Sequence, residues 1–462
     1  MSPVDGSERH ARVKRSSPAA SGHERVSGVT DSRVAAAHVL SDVRQGDLLD
    51  AAFERRARGL DPRDRRWMHE LLWGMLRKRG WLDAVLAQRV TGGLAKLDND
   101  VVDLLRVGVY QLLFMGSVPA YAAIAQTVEL SKRRVGIGAS KLVNAVLRRV
   151  DRERAQIEPS VPSDNMAALA QRHSHPQWVV ERWVERWGVA AAEEMLQANN
   201  EESTITVRPY AVSRDVLDTM LAGDGVDTYP VPLVPDSIRL AAGVALTELG
   251  AFQQGAFYVQ DPAATLVAMY ADIPTGAVVA DLCAAPGGKA LELSRRASLV
   301  IAADRSMVRA ERMLTGLGRL DAPNLVTMVA DATAPAIGPV DVVLLDVPCT
   351  GTGTFRRHPD ARWRLRVSDF AVLAAAQRAI LRAASKIVKP GGLLIYSTCS
   401  LEVEENDDPV DQFLREHPDF ALEPPVEGAV PSTVLDNGRL RVLPQRAGTD
   451  GAFAARLRRA VA

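Results

Sequence analysis

The second half of the chain alternates short apolar runs with helical stretches, and this alternation restricts the fold more than any other feature of the sequence. Each run is short and continuously apolar, as strands buried on both faces of a parallel sheet are. Strands that alternate with helices in this way form a doubly wound α/β domain. The predicted strands are Val278–Cys283, Leu299–Asp304, Leu325–Val329, Val340–Asp346 and Leu393–Ser397.

The first half of the chain shows other patterns. Helical apolar stripes begin near Ser32, and Asp61 followed by Pro62 marks one helix start. The sequence thus predicts a multidomain protein. Its predicted units are a disordered tail at residues 1–30, an all-α bundle at 31–150, a linker at 151–165, a helical stretch with a small α+β unit at 166–250, and the α/β domain at 251–462.

The net charge gives no sign of a nucleic-acid partner. Lys plus Arg and Asp plus Glu both number 56, so any binding to nucleic acid must use local basic faces. The Arg-rich helix ends of the bundle are either such a face or solvated helix surfaces. No apolar run approaches the ~20 residues of a membrane span. The N-terminus has no apolar signal core, which predicts a cytoplasmic protein, and a monomer is expected.

Only three cysteines are present, at positions 283, 349 and 399. An odd and sparse set argues against a disulfide framework. The cysteines also lack the close spacing of a zinc site, and no metal is predicted. Isolated thiols are usually small buried hydrophobic residues, so a role in chemistry has to come from their local context.

A glycine turn follows the first predicted strand. The residues are Asp281-Leu282-Cys283-Ala284-Ala285-Pro286-Gly287-Gly288-Lys289. Glycines at this point let the backbone approach a ligand closely, although a Gly-Gly pair alone is more often only a tight turn. The spacing matches neither a phosphate-binding P-loop nor a dinucleotide-binding turn.

Acidic residues mark the ends of four predicted strands: Asp281, Asp304, Asp331 and Asp346. Ligands of open α/β folds bind at this edge of the sheet. Carboxylates would repel a pyrophosphate, but they accept hydrogen bonds from ribose hydroxyls and attract a cation. The pattern therefore favours an adenosine cofactor without phosphates, and S-adenosylmethionine, a sulfonium cation, fits it.

Two of the thiols lie at the same edge. Cys349 follows the fourth predicted strand and Cys399 the fifth, before a helix predicted over Glu402–Glu416. The N-terminus of that helix favours a thiolate, whereas Glu402, Glu404 and Glu405 oppose it. A thiolate that adds to carbon-6 of cytosine makes carbon-5 nucleophilic toward a methyl donor. By its position, Asp346 is a candidate to hold a proton at N3 of the base. A thiol pair beside a methyl donor therefore predicts cytosine-5 methylation.

Three segments carry a family resemblance. Asp281–Lys289, Asp346–Gly353 and Ser397–Asn406 resemble motifs of the RNA cytosine-5 methyltransferases. The segment Arg356–Asp360 with Trp363 is similar to the bacterial 16S ribosomal RNA methyltransferase B group. That group carries an N-terminal domain similar to the antitermination factor NusB, and Val109–Leu113 and Val143–Arg148 resemble it.

The resemblance implies a role for each site residue. It makes Cys399 the nucleophile and Cys349 the residue that assists product release. It implies a NusB-like RNA-binding bundle, a small RRM-like α+β domain and a Rossmann-like methyltransferase domain, with small-subunit ribosomal RNA as the partner. The implied cofactor residues are Cys283, Ala284, Ala285, Pro286, Gly287, Gly288, Lys289, Asp304, Asp331 and Asp346. The residues predicted to contact RNA phosphates are Arg356, Arg357, Arg362 and Arg364.

Other functions fit the sequence less well. A non-catalytic RNA-binding module would not need both thiols. A methyltransferase for a small molecule or a protein would not need the added helical domain. A DNA cytosine methyltransferase would place its nucleophile in the Pro348-Cys349 segment alone, so Thr398-Cys399-Ser400 is the segment that separates these functions.

Overall fold

The protein is described from a computed structural model, which covers residues 28–157 and 165–461. The predicted tail therefore lies almost wholly outside the described residues, as do residues 158–164 of the predicted linker. The start of that linker is helical instead, because the last helix of the bundle continues to Arg152 and a 3-10 turn follows at Arg154–Gln156.

The first part of the structure is the predicted helical bundle. Asp61 caps the third helix by accepting the backbone N–H of Asp64 at 2.8 Å, and Pro62 occupies the first turn as predicted. One continuous core of buried Leu, Val, Met and Ala side chains joins the helices. The helices are α1 (Asp31–Arg44), α2 (Leu49–Arg56), α3 (Pro62–Arg77), α4 (Arg79–Ala87), α5 (Asn99–Phe114), α6 (Ala120–Arg134) and α7 (Ile137–Arg152).

A small α+β unit follows two connecting helices, α8 (Met166–Arg172) and α9 (Gln177–Ala198), the second kinked at Gly188. Its elements are β1 (Thr206–Pro209), α10 (Arg214–Gly223), β2 (Thr228–Pro230), β3 (Ile238–Leu240), α11 (Gly250–Gln253) and β4 (Phe257–Val259). The antiparallel sheet has the order β2-β3-β1-β4, which confirms the predicted α+β fold. Strand β4 lies beyond residue 250, so the predicted boundary would divide this sheet.

The α/β domain contains the predicted strands at nearly the predicted bounds. Its elements are α12 (Pro262–Ala271), β5 (Val278–Asp281), α13 (Gly288–Ser294), β6 (Leu299–Asp304), α14 (Met307–Leu317), β7 (Leu325–Val329), β8 (Val340–Asp346), α15 (Ala361–Arg364), α16 (Val367–Ser385), β9 (Val388–Thr398), α17 (Asp407–Glu416), β10 (Phe420–Leu422), β11 (Leu435–Asp436), β12 (Arg439–Val442), α18 (Pro444–Ala447) and β13 (Ala452–Arg459).

The large sheet is mixed rather than wholly parallel. Its order is β11-β12-β13-β9-β8-β5-β6-β7, with β10 paired to β13. The neighbouring strands β9, β8, β5, β6 and β7 are parallel, as predicted. The strands that follow β9 in the chain, β10 to β13, form an antiparallel section. Strand β13 runs antiparallel to β9, which brings the turn before β13 to the carboxyl end of β9. None of the helices in the described parts of the chain is long and apolar enough to span a membrane.

Candidate active site

The carboxyl ends of β5, β8 and β9 lie side by side at the centre of the large sheet. These strands are parallel neighbours, with Asp281 of β5 opposite Leu344 of β8 and Asp346 of β8 opposite Ser397 of β9. The strand order therefore places the glycine turn and both thiol-bearing loops at one edge, as the sequence predicts.

The thiols of Cys349 and Cys399 are in contact across this edge. Their Sγ atoms lie 3.2 Å apart, and both side chains are partly exposed. The hydrogen bond to the Cys399 sulfur, burial, and the nearby Glu405 and Asp346 carboxylates hold the pKa of Cys349 well above its ordinary value. Cys349 is therefore a protonated thiol at neutral pH, and it can donate to or accept from its neighbour.

The two thiol loops also touch through glycine backbone. The Gly353 N–H donates to the Cys399 carbonyl at 3.0 Å, and the Gly451 N–H donates to the Gly353 carbonyl at 2.7 Å. A Cβ at Gly353 would lie 2.7 Å from the Cys399 carbonyl oxygen and 2.8 Å from the Gly451 Cα. Only glycine permits this approach, so the turn before β13 supports the loop that carries Cys399.

The helix predicted after Cys399 begins later than expected. Residues Val403–Glu405 form a 3-10 turn, Asn406 has non-helical dihedrals, and α17 starts only at Asp407. The prediction that this helix begins at Glu402 is therefore wrong, while its predicted end at Glu416 is confirmed. The intervening residues make side-chain contacts to the thiol loops instead of continuing a helix.

Asp346 is paired with a cation. Its carboxylate lies 2.7 Å from Lys289 Nζ and accepts a hydrogen bond from Ser397 Oγ at 3.1 Å. Burial alone would lower the pKa of Lys289, but the adjacent Asp346 charge outweighs it and the net pKa is raised. The pair thus links the glycine turn to β8, and the ammonium rather than a second acid is the near partner of Asp346.

Among the four predicted strand-end acids, Asp281 has a carboxylate oxygen without a hydrogen-bond partner in the described parts of the chain. It is 1 % exposed, and its Oδ2 atom has no hydrogen-bond partner among the described residues. Burial, reinforced by the charge of Asp346, raises its pKa to about 7. A buried carboxylate oxygen without a donor can accept a hydrogen bond from a ligand's hydroxyl or ammonium, and this is the observation by which the residues fit a methionine-bearing nucleoside cofactor.

The other two predicted acids differ from each other. Asp304 is 2 % exposed at the end of β6, and its Oδ1 accepts the Ser306 N–H at 2.9 Å. Asp331 is exposed, and its Oδ1 accepts the Thr333 N–H and hydroxyl at 2.8 and 2.7 Å. Those hydrogen bonds lower the pKa of Asp331. Asp304 is therefore enclosed at the sheet edge, while Asp331 stands at its rim.

A cavity of about 420 Å³ opens between the small α+β unit and this edge. Asp281, Lys289 and Asp346 form one wall, and Tyr258, Asp261 and Arg357 are among the residues opposite. Its volume is in the range of small-molecule sites. The cavity gives Asp281 and Asp346 access to solvent and to a ligand.

The third cysteine is separate from this pair. Cys283 is partly buried in the glycine turn, and burial together with the Asp281 charge raises the pKa of its thiol far above the ordinary value. It is therefore an inert thiol whose backbone forms part of the predicted cofactor turn.

The four arginines predicted to bind phosphate have unequal access to solvent. Arg362 is 0 % exposed and donates to carbonyls that include Asn199 and Phe355, so the prediction for Arg362 is wrong. Arg356 is also buried and donates to the Gly448 carbonyl at 2.8 Å. These side chains hold the loop together through their hydrogen bonds to backbone carbonyls.

Arg357 and Arg364 remain partly accessible. Arg357 is bound by Asp261 at 2.5 Å and Asp450 at 3.0 Å, with 29 % of its side chain exposed. Arg364 is bound by Asp360 at 2.9 Å, with 34 % exposed. Asp261 and Asp450 were not among the predicted site residues, and they prove to be the partners of Arg357.

The loop that carries these arginines rests on the helical bundle. Trp73 Nε1 donates to the Arg357 carbonyl at 3.1 Å, and Trp363 Nε1 donates to the Leu76 carbonyl at 2.8 Å. The His358 ring pairs with Asp50 of α2 at 3.0 Å. No local sequence pattern signals these contacts, since they join residues about three hundred positions apart.

Three family models match the chain. The model for 16S rRNA methyltransferase RsmB/F matches residues 269–458, that for the NusB family matches 30–152, and that for the RsmF/B-like ferredoxin-like domain matches 175–247. These matches agree with the α/β domain, the helical bundle and the small α+β unit, and they confirm the predicted fold classes.

Curated relatives and solved structures cover nearly all of the chain. The probable ribosomal RNA small subunit methyltransferase B of Synechocystis is 33 % identical over 91 % of this chain and 98 % of its own length. The ribosomal RNA small subunit methyltransferase B of Erwinia tasmaniensis is 33 % identical over 93 % and 99 %. The crystal structure of PH0851 is 27 % identical over 92 % and 98 %, with a TM-score of 0.78.

Proposed function

The chain belongs to the 16S rRNA methyltransferase RsmB/F family, and from this membership we propose that it methylates carbon-5 of a cytosine in small-subunit ribosomal RNA through a covalent cysteine adduct. The observation that carries the proposal is the contact between Cys349 and Cys399, 3.2 Å apart, beside the acid cluster. One thiol can be the nucleophile while the other exchanges a proton with it.

Cys399 is the nucleophile in this proposal. Its sulfur forms a bond to carbon-6 of the cytosine, and carbon-5 becomes nucleophilic. S-adenosylmethionine, when bound, supplies the methyl group as an electrophile. Carbon-5 then loses its proton to a base, the electrons of that bond restore the double bond, and the Cys399 sulfur leaves carbon-6. Dividing one difficult substitution into these steps is the advantage of a covalent intermediate.

Cys349 acts in release. It is held as a thiol against the Cys399 sulfur, and it provides a proton relay at the point where the sulfur–carbon bond breaks. Asp346 is assigned to support N3 of the base during addition, by sharing a proton with it. The Lys289 ammonium holds this carboxylate at 2.7 Å.

The cofactor residues follow from the acid cluster and the glycine turn. Asp281 offers its unpartnered oxygen to an ammonium or hydroxyl, and Asp304 offers a buried carboxylate at the end of β6. We assign the backbone of Cys283–Lys289 and the rim residue Asp331 to the same ligand. Asp346 completes the set of residues assigned to the cofactor.

The RNA-binding surface is proposed to include Arg357 and Arg364, whose side chains are partly exposed. The target nucleotide must leave its stack before a thiol reaches carbon-6, so a loop or exposed position is the expected target. We also propose the domain division predicted from the sequence, with the small α+β domain extended to Val259. The enzyme is proposed to be a monomer.

The test is a covalent capture assay on a denaturing gel. Cys349→Ala, incubated with S-adenosylmethionine and unmodified small-subunit ribosomal RNA, should accumulate an RNase-sensitive shifted band. The double variant with Cys399→Ala should not. Asp215→Asn, at a side chain that is 94 % exposed, serves as the control and should behave like the parent protein.

The outcomes separate the rival functions. A shifted band with RNA but not with matched DNA supports the proposal. No band from a folded protein that binds the cofactor would contradict it and favour another substrate. Normal turnover by Cys399→Ala would contradict the assignment of the nucleophile.

A further inference from the structure

Two consecutive buried residues, Glu405 and Asn406, contact the loops that carry Cys349 and Cys399. Glu405 is 0 % exposed and Asn406 is 1 % exposed. They belong to the segment that was predicted as the first turns of a helix and that forms a 3-10 turn and a break instead. Neither has a place in the reaction described above, so their burial needs a separate explanation.

Glu405 holds the residue after Cys349. Its Oε1 accepts the backbone N–H of Thr350 at 2.9 Å, and its Oε2 accepts the Thr350 hydroxyl. Gln377 of α16 donates from Nε2 both to Glu405 Oε1 at 3.1 Å and to the carbonyl of Pro348 at 2.9 Å. The residues on both sides of Cys349 are therefore bound to one buried carboxylate–amide pair.

Asn406 holds the residues around Cys399 in the same manner. Its Nδ2 donates to the Ser400 carbonyl at 2.9 Å, and its Oδ1 accepts the Thr398 hydroxyl at 2.5 Å. Both neighbours of Cys399 are thus bound to one side chain. The Ser400 N–H also donates to the Thr398 hydroxyl at 3.2 Å, which closes the turn.

The backbone between the two side chains is fixed as well. Tyr396, which is 0 % exposed, donates from its hydroxyl to the Glu405 carbonyl at 2.6 Å. The Thr350 and Ser400 hydroxyl oxygens lie 3.3 Å apart, which joins the two loops directly. Because the side chains of Glu405, Asn406, Gln377 and Tyr396 are buried, their hydrogen bonds act with little competition from water.

We propose that Glu405 and Asn406 are positioning residues that set the distance between the two thiols, with Glu405 holding Cys349 and Asn406 holding Cys399. This inference rests on the proposed function for its kinetic meaning. It predicts a division of labour: loss of Glu405 should impair the step that uses Cys349, and loss of Asn406 should impair the step that uses Cys399.

The first test follows the thiols without RNA. Diamide oxidises two nearby thiols to a disulfide and is itself reduced by the two electrons and two protons that they lose. Diamide should therefore oxidise Cys349 and Cys399 rapidly in the parent protein, scored by loss of labelling at these two residues. Glu405→Ala and Asn406→Ala should each slow the oxidation of the two thiols by diamide at least about tenfold. An unchanged rate in both folded variants would overturn the proposal.

The second test separates adduct formation from release under single-turnover conditions. Glu405→Ala should accumulate the RNA adduct because release slows about tenfold or more, a barrier increase of about 1.4 kcal/mol. Asn406→Ala should form the adduct more slowly without accumulating it. A merely structural role would lower both rates together, and that result would contradict the proposal.

Matched variants guard against simple unfolding. Glu405→Gln keeps an acceptor for Thr350 and should restore most of the release rate, while Gln377→Leu breaks the link to Pro348 and should slow release like Glu405→Ala. Glu404→Ala, at a neighbouring side chain that is 41 % exposed, should change neither step. If Cys349→Ala yields no RNA adduct, the proposed function fails, and the diamide result still decides the positioning role.

Discussion

Replacing Asp281 with Asn should stabilise the protein while weakening its cofactor site. The carboxylate is buried at the end of β5 with one oxygen unpartnered, and burial raises its pKa to about 7 from an ordinary value of 3.8. The folded protein must therefore carry an unfavourable charge at neutral pH. The side-chain amide of the Asp281→Asn variant would be neutral at every pH, so that variant does not carry the cost.

The size and sign of the effect follow from proton linkage. The pKa difference of about 3 units corresponds to about 4 kcal/mol, because one unit is about 1.4 kcal/mol. Between the two pKa values the native state of the parent protein binds more protons than the unfolded state, so its stability falls as pH rises. From pH 5 to pH 8 the variant should gain about 3 kcal/mol over the parent protein.

Thermal unfolding of the full chain without cofactor measures this gain. For a domain of about two hundred residues, 1 kcal/mol shifts Tm by about 2–4 °C, so the Tm difference should widen by about 6–12 °C between pH 5 and pH 8. Asp215→Asn, at a side chain that is 94 % exposed, is the control and should show no widening. If the Tm difference between the Asp281→Asn variant and the parent protein stayed constant with pH, Asp281 would not have the raised pKa.

Three further variants probe other parts of the structure. Gly353→Ala would place a methyl group 2.7 Å from the Cys399 carbonyl oxygen, so the covalent capture assay should show almost no adduct; a normal rate would contradict the packing. Arg362→Met should lower stability by about 1–3 kcal/mol in denaturant titration, because it leaves buried carbonyls without a donor, and it should leave RNA affinity unchanged. A selective loss of affinity would restore its predicted phosphate role. Burial alone would lower the pKa of His358, but Asp50 raises it overall. The ion pair between these residues should therefore stabilise the protein at acidic pH, and this stabilisation should be lost as the pH rises through the raised pKa of His358. Asp50→Asn should remove this pH dependence from limited proteolysis of the domain junction, and an unchanged pH profile would count against the ion pair.

Local sequence patterns predicted the parallel strands and the edge at which they end. A continuous apolar run bounded by an acid or a glycine turn specifies a buried strand and its end, and β6, β7 and β8 match their predicted bounds. The antiparallel strands β10 to β13 were not predicted because they are short or interrupted by charge: β13 reads Ala-Phe-Ala-Ala-Arg-Leu-Arg-Arg. Their strand character depends on pairing with β9, which a local pattern does not contain.

The contacts of the arginines in the site likewise cannot be predicted from a local sequence pattern. A run of basic residues beside a catalytic motif is usually interpreted as a nucleic-acid contact, and Arg362 was assigned that way. In the structure Arg362 is enclosed by carbonyls that come from both ends of α9 and from its own loop. Residue type and spacing cannot distinguish an arginine that faces RNA from one that closes a fold, because the acceptors are supplied by distant segments.

Two buried carboxylates at this one sheet edge illustrate what separates structural from functional acids. Glu405 accepts hydrogen bonds from Thr350 and Gln377, which offset part of the cost of its burial, although burial still raises its pKa. Asp281 has an oxygen with no donor among the described residues. A folded chain that keeps such an uncompensated charge loses stability by doing so, and binding of a ligand that supplies the missing donor returns it. The unsatisfied acid therefore belongs to the ligand site and the satisfied one to the framework that positions the thiols.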